Sequence, residues 1–262
     1  MAIPPIGAHI WGEDPLAEAA EIGAERVQLF LSNPQGWEKP PPRDDAGELR
    51  AADLGIYVHA PYLINVCSPK PNIRYGSRKI LKQTCEAAAE IGALAVVVHP
   101  GHAEDGVDEG VSRWTRTLEQ VESEVPIYLE NTAGGDNAVA RRFDALAKLW
   151  DAVDLAKTDN EIGFCFDTCH AHAAGEDLSD AVERAIEITG GIDLMHVNDS
   201  RDKAGTGADR HTTIGEGHIA LDDLRHMIAA ANAPTVVETP REIEKLKADM
   251  AFVREALEGS DP

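Results

Sequence analysis

Short apolar runs rich in β-branched residues alternate with longer amphipathic stretches, and the alternation repeats eight times along the chain. The runs are "IGAHI", "RVQLFL", "IYVHAP", "AVVVHP", "PIYLENT", "IGFCFDT", "IDLMHVND" and "TVVETP", each of strand length. Between them, segments such as "SRKILKQTCEAAAEIGA" and "FDALAKLWDAVDLAKT" space apolar residues three and four apart, which gathers them on one helix face. "EIEKLKADMAFVREAL" ends the series. Strand and helix in alternation predict βα units and a parallel sheet. Eight such units in 262 residues, close to the roughly 250 typical of a (β/α)8 barrel, predict a single α/β TIM-barrel domain over residues 1–262. No linker, low-complexity tract or composition break divides the chain.

A barrel of this kind carries its chemistry at the C-terminal ends of the strands and in the loops that follow. The strand ends hold, in order, His59, His99, Glu130, Asp167, His196 and Glu238, and the loops after the sixth and seventh strands add His170, Asp209 and His211. All nine are imidazoles or carboxylates. Gathering four carboxylates on one rim is prohibitive unless protons or cations compensate, so divalent metals are the simplest explanation. In an extended loop, residues two apart point to the same side, so Asp209 and His211 can share one cation. Imidazole with carboxylate suits Zn²⁺, and Mn²⁺ or Fe²⁺ accept the same donors. Clustered cations point to phosphate-ester hydrolysis, because paired metals generate hydroxide near neutral pH and stabilise both attacking and leaving oxygens. Dinucleotide, Walker and nucleophile-elbow motifs are absent from the sequence.

Charge complicates any nucleic-acid reading. The formal net charge is −22, whereas attraction to DNA comes mainly from Lys and Arg displacing counterions. One segment departs from the trend: from Leu54 to Cys85 there are five basic residues, Lys70, Arg74, Arg78, Lys79 and Lys82, and no acid. Three divalent ions would also overbalance the four carboxylates of the rim. Cysteine usage predicts a reduced compartment: four cysteines form no C-x-x-C and are too sparse for a disulfide scaffold. Cys165 and Cys169 are read as packing. With no signal-peptide pattern and no membrane-length apolar run, the expected location is cytoplasmic.

"GFCFDTCHAHAAGEDL", "HVNDSRDKAGTGADRHTTIGEGHI", "LENTAG", "HAPYLIN" and "VVVHPG" resemble, in order and over roughly Gly7 to Pro240, the motifs of the endonuclease IV family of apurinic/apyrimidinic endonucleases. The resemblance implies a barrel with three zinc ions that cuts double-stranded DNA on the 5′ side of abasic sites and leaves a 3′-hydroxyl. It assigns His59, His99 and Glu130 to the first ion; Glu130, Asp167, His196 and Glu238 to the second; and His170, Asp209 and His211 to the third. Glu130 would also orient the nucleophile as a catalytic group. Tyr62 and Leu63 match positions that wedge into the minor groove and contact DNA. In "LSNPQGWEKPPP" the chain departs from the family, with Gln35 and Gly36 where an arginine and a glutamine commonly precede the tryptophan. A monomer is expected.

Two rival readings remain. Sugar isomerases and epimerases with related barrels use a Glu, Asp, His, Glu quartet that Glu130, Asp167, His196 and Glu238 also match, on a single ion. A damage-binding module without catalysis is the non-enzymatic alternative. Of the remaining rim residues, His9, His102 and His218 are read as orienting ligands or phosphate, and His172 as packing or as support behind the ligands. His226 is read as structural.

Overall fold

The computed structural model describes residues 3–259. Eight parallel strands close into one barrel: β1 (Ile6–His9), β2 (Arg26–Leu29), β3 (Gly55–His59), β4 (Ala95–Val98), β5 (Ile127–Glu130), β6 (Ile162–Asp167), β7 (Leu194–His196) and β10 (Thr235–Val237), which pairs back to β1. Each lies within one of the eight predicted runs, apart from the first residue of β3. Two further strands, β8 (Asp199–Ser200) and β9 (His211–Thr212), form a small antiparallel hairpin beyond the end of β7.

Helices fill the connections: α1 (Pro15–Ile22), α2 (Ala46–Ala51), α3 (Pro71–Glu90), α4 (Val107–Leu118), α5 (Phe143–Leu155), α6 (Thr168–Ala174), α7 (Ala181–Thr189), α8 (Leu221–Ala231) and α9 (Ile243–Glu258). Local chemistry sets their ends. Asp14 caps α1 by accepting from the Ala17 amide, Pro15 opens it, and Gly23 closes it in the left-handed conformation. The α3 helix begins earlier than its periodicity predicts, because Pro71 supplies a preformed first turn. The α5 helix stops at Leu155, where Ala156 turns extended, three residues before its predicted end.

Two apolar clusters separate the inside of the barrel from its jacket. Tyr57, Ala95, Val97, Cys165, Leu194 and Val236 pack inside, with Tyr128 against them. Phe164, Phe166 and Met195 belong to the larger cluster with the helices, where the rings of Phe164 and Trp150 meet edge to face at 5.7 Å. A fully buried side chain such as Phe164 contributes about 1.5–3 kcal/mol. The walls are close: a Cβ at Gly7 would lie 1.5 Å from the Arg26 carbonyl oxygen.

This packing positions the site. Side chains along a strand alternate, so the residue two beyond each interior position points the same way. Tyr57 thus leads to His59, Val97 to His99, Tyr128 to Glu130, Cys165 to Asp167, Leu194 to His196, and Val236 to Glu238.

Candidate metal centre

Glu130 is fully buried at the middle of the mouth, with imidazoles on both of its oxygens. Its Oε2 lies 3.2 Å from His59 Nε2 and 3.2 Å from His99 Nε2. Its Oε1 lies 3.1 Å from His170 Nδ1 and 3.3 Å from His196 Nδ1. Two groups of potential metal donors therefore meet at this one carboxylate: His59, His99 and Glu130, and Glu130, Asp167, His196 and Glu238, each with donor atoms within 4.8 Å of one another. Burial pushes the Glu130 pKa up, but His99, His196 and His170 outweigh it and hold the carboxylate well below its ordinary range.

The Asp-x-x-His pair follows from helix capping. Asp167 ends β6 and is the N-cap of α6, accepting a 2.6 Å hydrogen bond from the His170 amide. His170 is thereby fixed one turn in, where its Nδ1 lies 2.8 Å from the Asn131 carbonyl. Donation to that carbonyl leaves Nε2 with the lone pair, and Nε2 lies 3.2 Å from Asp209 Oδ1. His211, from the other side, brings its Nε2 to 3.0 Å from the same oxygen. Both Nε2 atoms are buried without a hydrogen-bond partner, which is the arrangement a cation would complete. Asp167 also takes part, with Oδ2 at 3.8 Å from His211 Nε2.

Proton affinities describe the same competition. Burial alone would lower His170, His196 and His211, yet Asp167 and Asp209 hold His170 well above its ordinary value, and the approach of Asp209, Cys169 and Asp167 does so for His211. For His196, Glu238 and Glu130 outweigh burial and push it up to about 9. Burial likewise raises Asp209 and Glu238, but their imidazole neighbours prevail and hold both below the usual carboxylate range. Asp167 is instead raised, by burial first of all.

Three amides that sequence reasoning missed orient this array. Gln28 on β2 donates Nε2 to Glu238 Oε1 at 2.6 Å, and because a carboxylate only accepts, its oxygen must face His196 Nε2 at 2.9 Å. His196 then donates from Nε2 and keeps Nδ1 for Glu130, Glu238 or a cation. Asn198 donates to Asp167 Oδ2 at 2.6 Å and accepts from the Glu238 amide at 2.8 Å. Asn131 accepts from the Asp167 amide and donates to the Asp167 carbonyl. A glutamine inside the apolar run "RVQLFL" was the available signal, since an amide on an interior strand face needs partners.

The hairpin that carries His211 is braced by Asp199. Its carboxylate accepts from the amides of Ser200, Gly215, Gly217 and Ile219 at 2.7–3.0 Å. His172 lies 3.0 Å through Nε2 from the Asp202 carbonyl, tying α6 to the loop that carries Asp209. Cys165 is held as a thiol by burial, and Cys169 lies within 4.8 Å of the donor atoms of Asp209 and His211. His9 lies 3.0 Å through Nδ1 from Gln28 Nε2, and burial lowers its pKa to about 4. His102 meets Asn65 on the rim, His218 packs through its amide on Ser200, and His226 pairs with Glu183 on the outer surface.

Beside the centre, a cleft of about 450 Å³ is lined by Trp37, Tyr62, Leu63, His99, His102 and Asp209, among others. Tyr62 is half exposed, its ring 5.2 Å from His59 and 5.3 Å from Phe30. Trp37 rests over Gly76 of α3. Gln35 stands at the exposed tip of a turn that Gly36 closes onto Asn33. The basic segment is partly neutralised: Lys70 pairs with Glu104, and Lys82 approaches Glu122. Arg74 and Arg78 bond only neutral groups and keep their charge available to partners.

The barrel and the polar mouth together define a TIM barrel whose buried imidazoles and carboxylates could hold metal ions. The family described as "Xylose isomerase-like TIM barrel" matches residues 16–256. A protein called probable endonuclease 4 from Mycobacterium bovis (strain BCG / Pasteur 1173P2) is 56% identical over 252 residues, spanning 95% of this chain and 98% of that one. The crystal structure of endonuclease IV from Thermus thermophilus superposes with a TM-score of 0.82 at 28% identity, covering 98% of this chain and 100% of that one. A D-tagatose 3-epimerase-like protein shares the fold, with a TM-score of 0.78 at 21% identity over 98% of each chain. The chain belongs to the endonuclease IV family and is a nuclease.

Proposed function

We propose that this nuclease, acting as a monomer over a single domain, hydrolyses the phosphodiester on the 5′ side of abasic sites in double-stranded DNA and leaves a 3′-hydroxyl. It would do so with three divalent cations, Zn²⁺ by donor chemistry and Mn²⁺ or Fe²⁺ as alternatives. The observation that carries the reading is the pair of buried, unpartnered Nε2 atoms of His170 and His211 converging on Asp209. A proton shuttle between sugar carbons needs one ion and has no use for this third place.

In this reading His59 and His99 hold one cation with Glu130, which shares its other oxygen with the place formed by Asp167, His196 and Glu238. Held by these residues, divalent cations would lower the pKa of water toward neutrality and offset charge on the attacking and leaving oxygens. Glu130 would also orient the nucleophile. Gln28, Asn131 and Asn198 hold the donors in register. Tyr62 and Leu63, on the wall of the cleft, would enter the minor groove where the missing base makes extrusion of the nucleotide less costly.

A duplex with one abasic site tests the reaction. One strand should be nicked 5′ to the lesion, with an end that a polymerase extends, and prolonged chelation should abolish the cut. Binding without a nick would support the damage-binding alternative. An intact duplex with a rearranged ketose sugar would support the isomerase.

A further inference from the structure

The β10 to β1 side of the mouth holds a cation that the site described so far does not use. Arg241 follows Glu238 by three residues at the end of β10, and Trp11 follows the end of β1, the strand paired to β10. The guanidinium lies over the Trp11 ring, 4.9 Å from its centroid, and the ring is 54% exposed. A cation–π contact of this kind holds the guanidinium in place while its N–H donors bond no other described residue. Three other arginines of this end are already paired: Arg43 with Asp45, Arg142 with Glu176, and Arg210 with Asp202. Arg241 has no hydrogen bond and no ion pair with any described residue.

Nearby acids are engaged elsewhere. Glu18 turns its carboxylate to the amides of Trp11, Gly12 and Asp14, which fixes the loop that carries the tryptophan. Glu238 is held by Gln28 and Asn198. At the end of β1, two residues before Trp11, His9 leaves a buried Nε2 without a hydrogen-bond partner. Meanwhile the turn after β2, where the family resemblance leads one to expect an arginine, presents Gln35.

We propose that Arg241, held over Trp11, grips a backbone phosphate of bound DNA and supplies from the β10 side the charge that the turn after β2 lacks. The contact rests on the nuclease reading and deepens it. A guanidinium with free edge donors meets two phosphate oxygens at once, which fixes the register of the strand without reading its sequence.

The test uses the metal-loaded protein and a nicked product duplex, which cannot be cut again at the lesion, with binding followed across a salt series. Arg241→Ala should weaken binding about 5- to 20-fold and flatten the slope of log Kd against log salt by about 0.9, the signature of one lost phosphate contact. Arg241→Lys should keep the wild-type slope. Trp11→Ala should loosen binding with the slope retained, because the charge stays while its support goes. An Arg241→Ala protein that matches wild type in affinity and slope overturns the contact and leaves the nuclease reading standing. A wild-type protein that binds no duplex at all overturns both.

Discussion

At the scale of single residues, the mouth is organised less by its charges than by what each imidazole does with its second nitrogen. His196 shows this best: Gln28 takes its Nε2–H, so Nδ1 is the atom left for Glu130, Glu238 or a cation. Replacing Gln28 by Leu should therefore weaken metal binding by about 10- to 100-fold, read by competition with a chelator, while the barrel persists in circular dichroism. Unchanged affinity would show that the amide only fills space. The six potential donors at strand ends were legible in the sequence because the strand period links each to an interior residue two positions earlier, as Val97 does for His99. The amides were not. Gln28 and its partner Glu238 lie 210 residues apart, and an uncharged side chain gives no sign of its partner until the barrel closes.

At the scale of elements, the eight strands were legible and the β8–β9 hairpin was not, because two-residue strands fall below any hydrophobic period. Its placement depends instead on the four amides gathered by Asp199 and on a tight contact between loops. A Cβ at Gly134, after β5, would lie 2.4 Å from the Gly207 carbonyl oxygen in the loop that carries Asp209. Gly134→Ala should push that loop outward at a cost of about 1–3 kcal/mol. Metal held by His170, Asp209 and His211 should then be lost first on mild chelation, with the other ions retained. Loss of all ions together, at a single chelator concentration, would contradict an independent role for the hairpin.

At the scale of the whole molecule, an acidic chain with a formal charge of −22 concentrates nine potential metal donors at one end of its barrel, and no described helix is long and apolar enough to cross a membrane. Without cations, protons hold the mouth together: His170, His196 and His211 all bind them more tightly than free imidazole. A cation needs the neutral ring, so loading must expel protons, and affinity should rise with pH until His196 is deprotonated at about 9. Adding zinc to dialysed protein at about pH 7 in weak buffer should acidify the solution, and the release should shrink at about pH 9.5. No acidification at the lower pH would mean that metal displaces no protons from these imidazoles.

The account turns on the number of cation places, which elemental analysis of the purified, active protein measures directly. Three divalent ions per chain are expected, falling to two in His170→Ala with reduced turnover and an unchanged fold. A single tightly held ion per wild-type chain, or wild-type activity in His170→Ala, would contradict it.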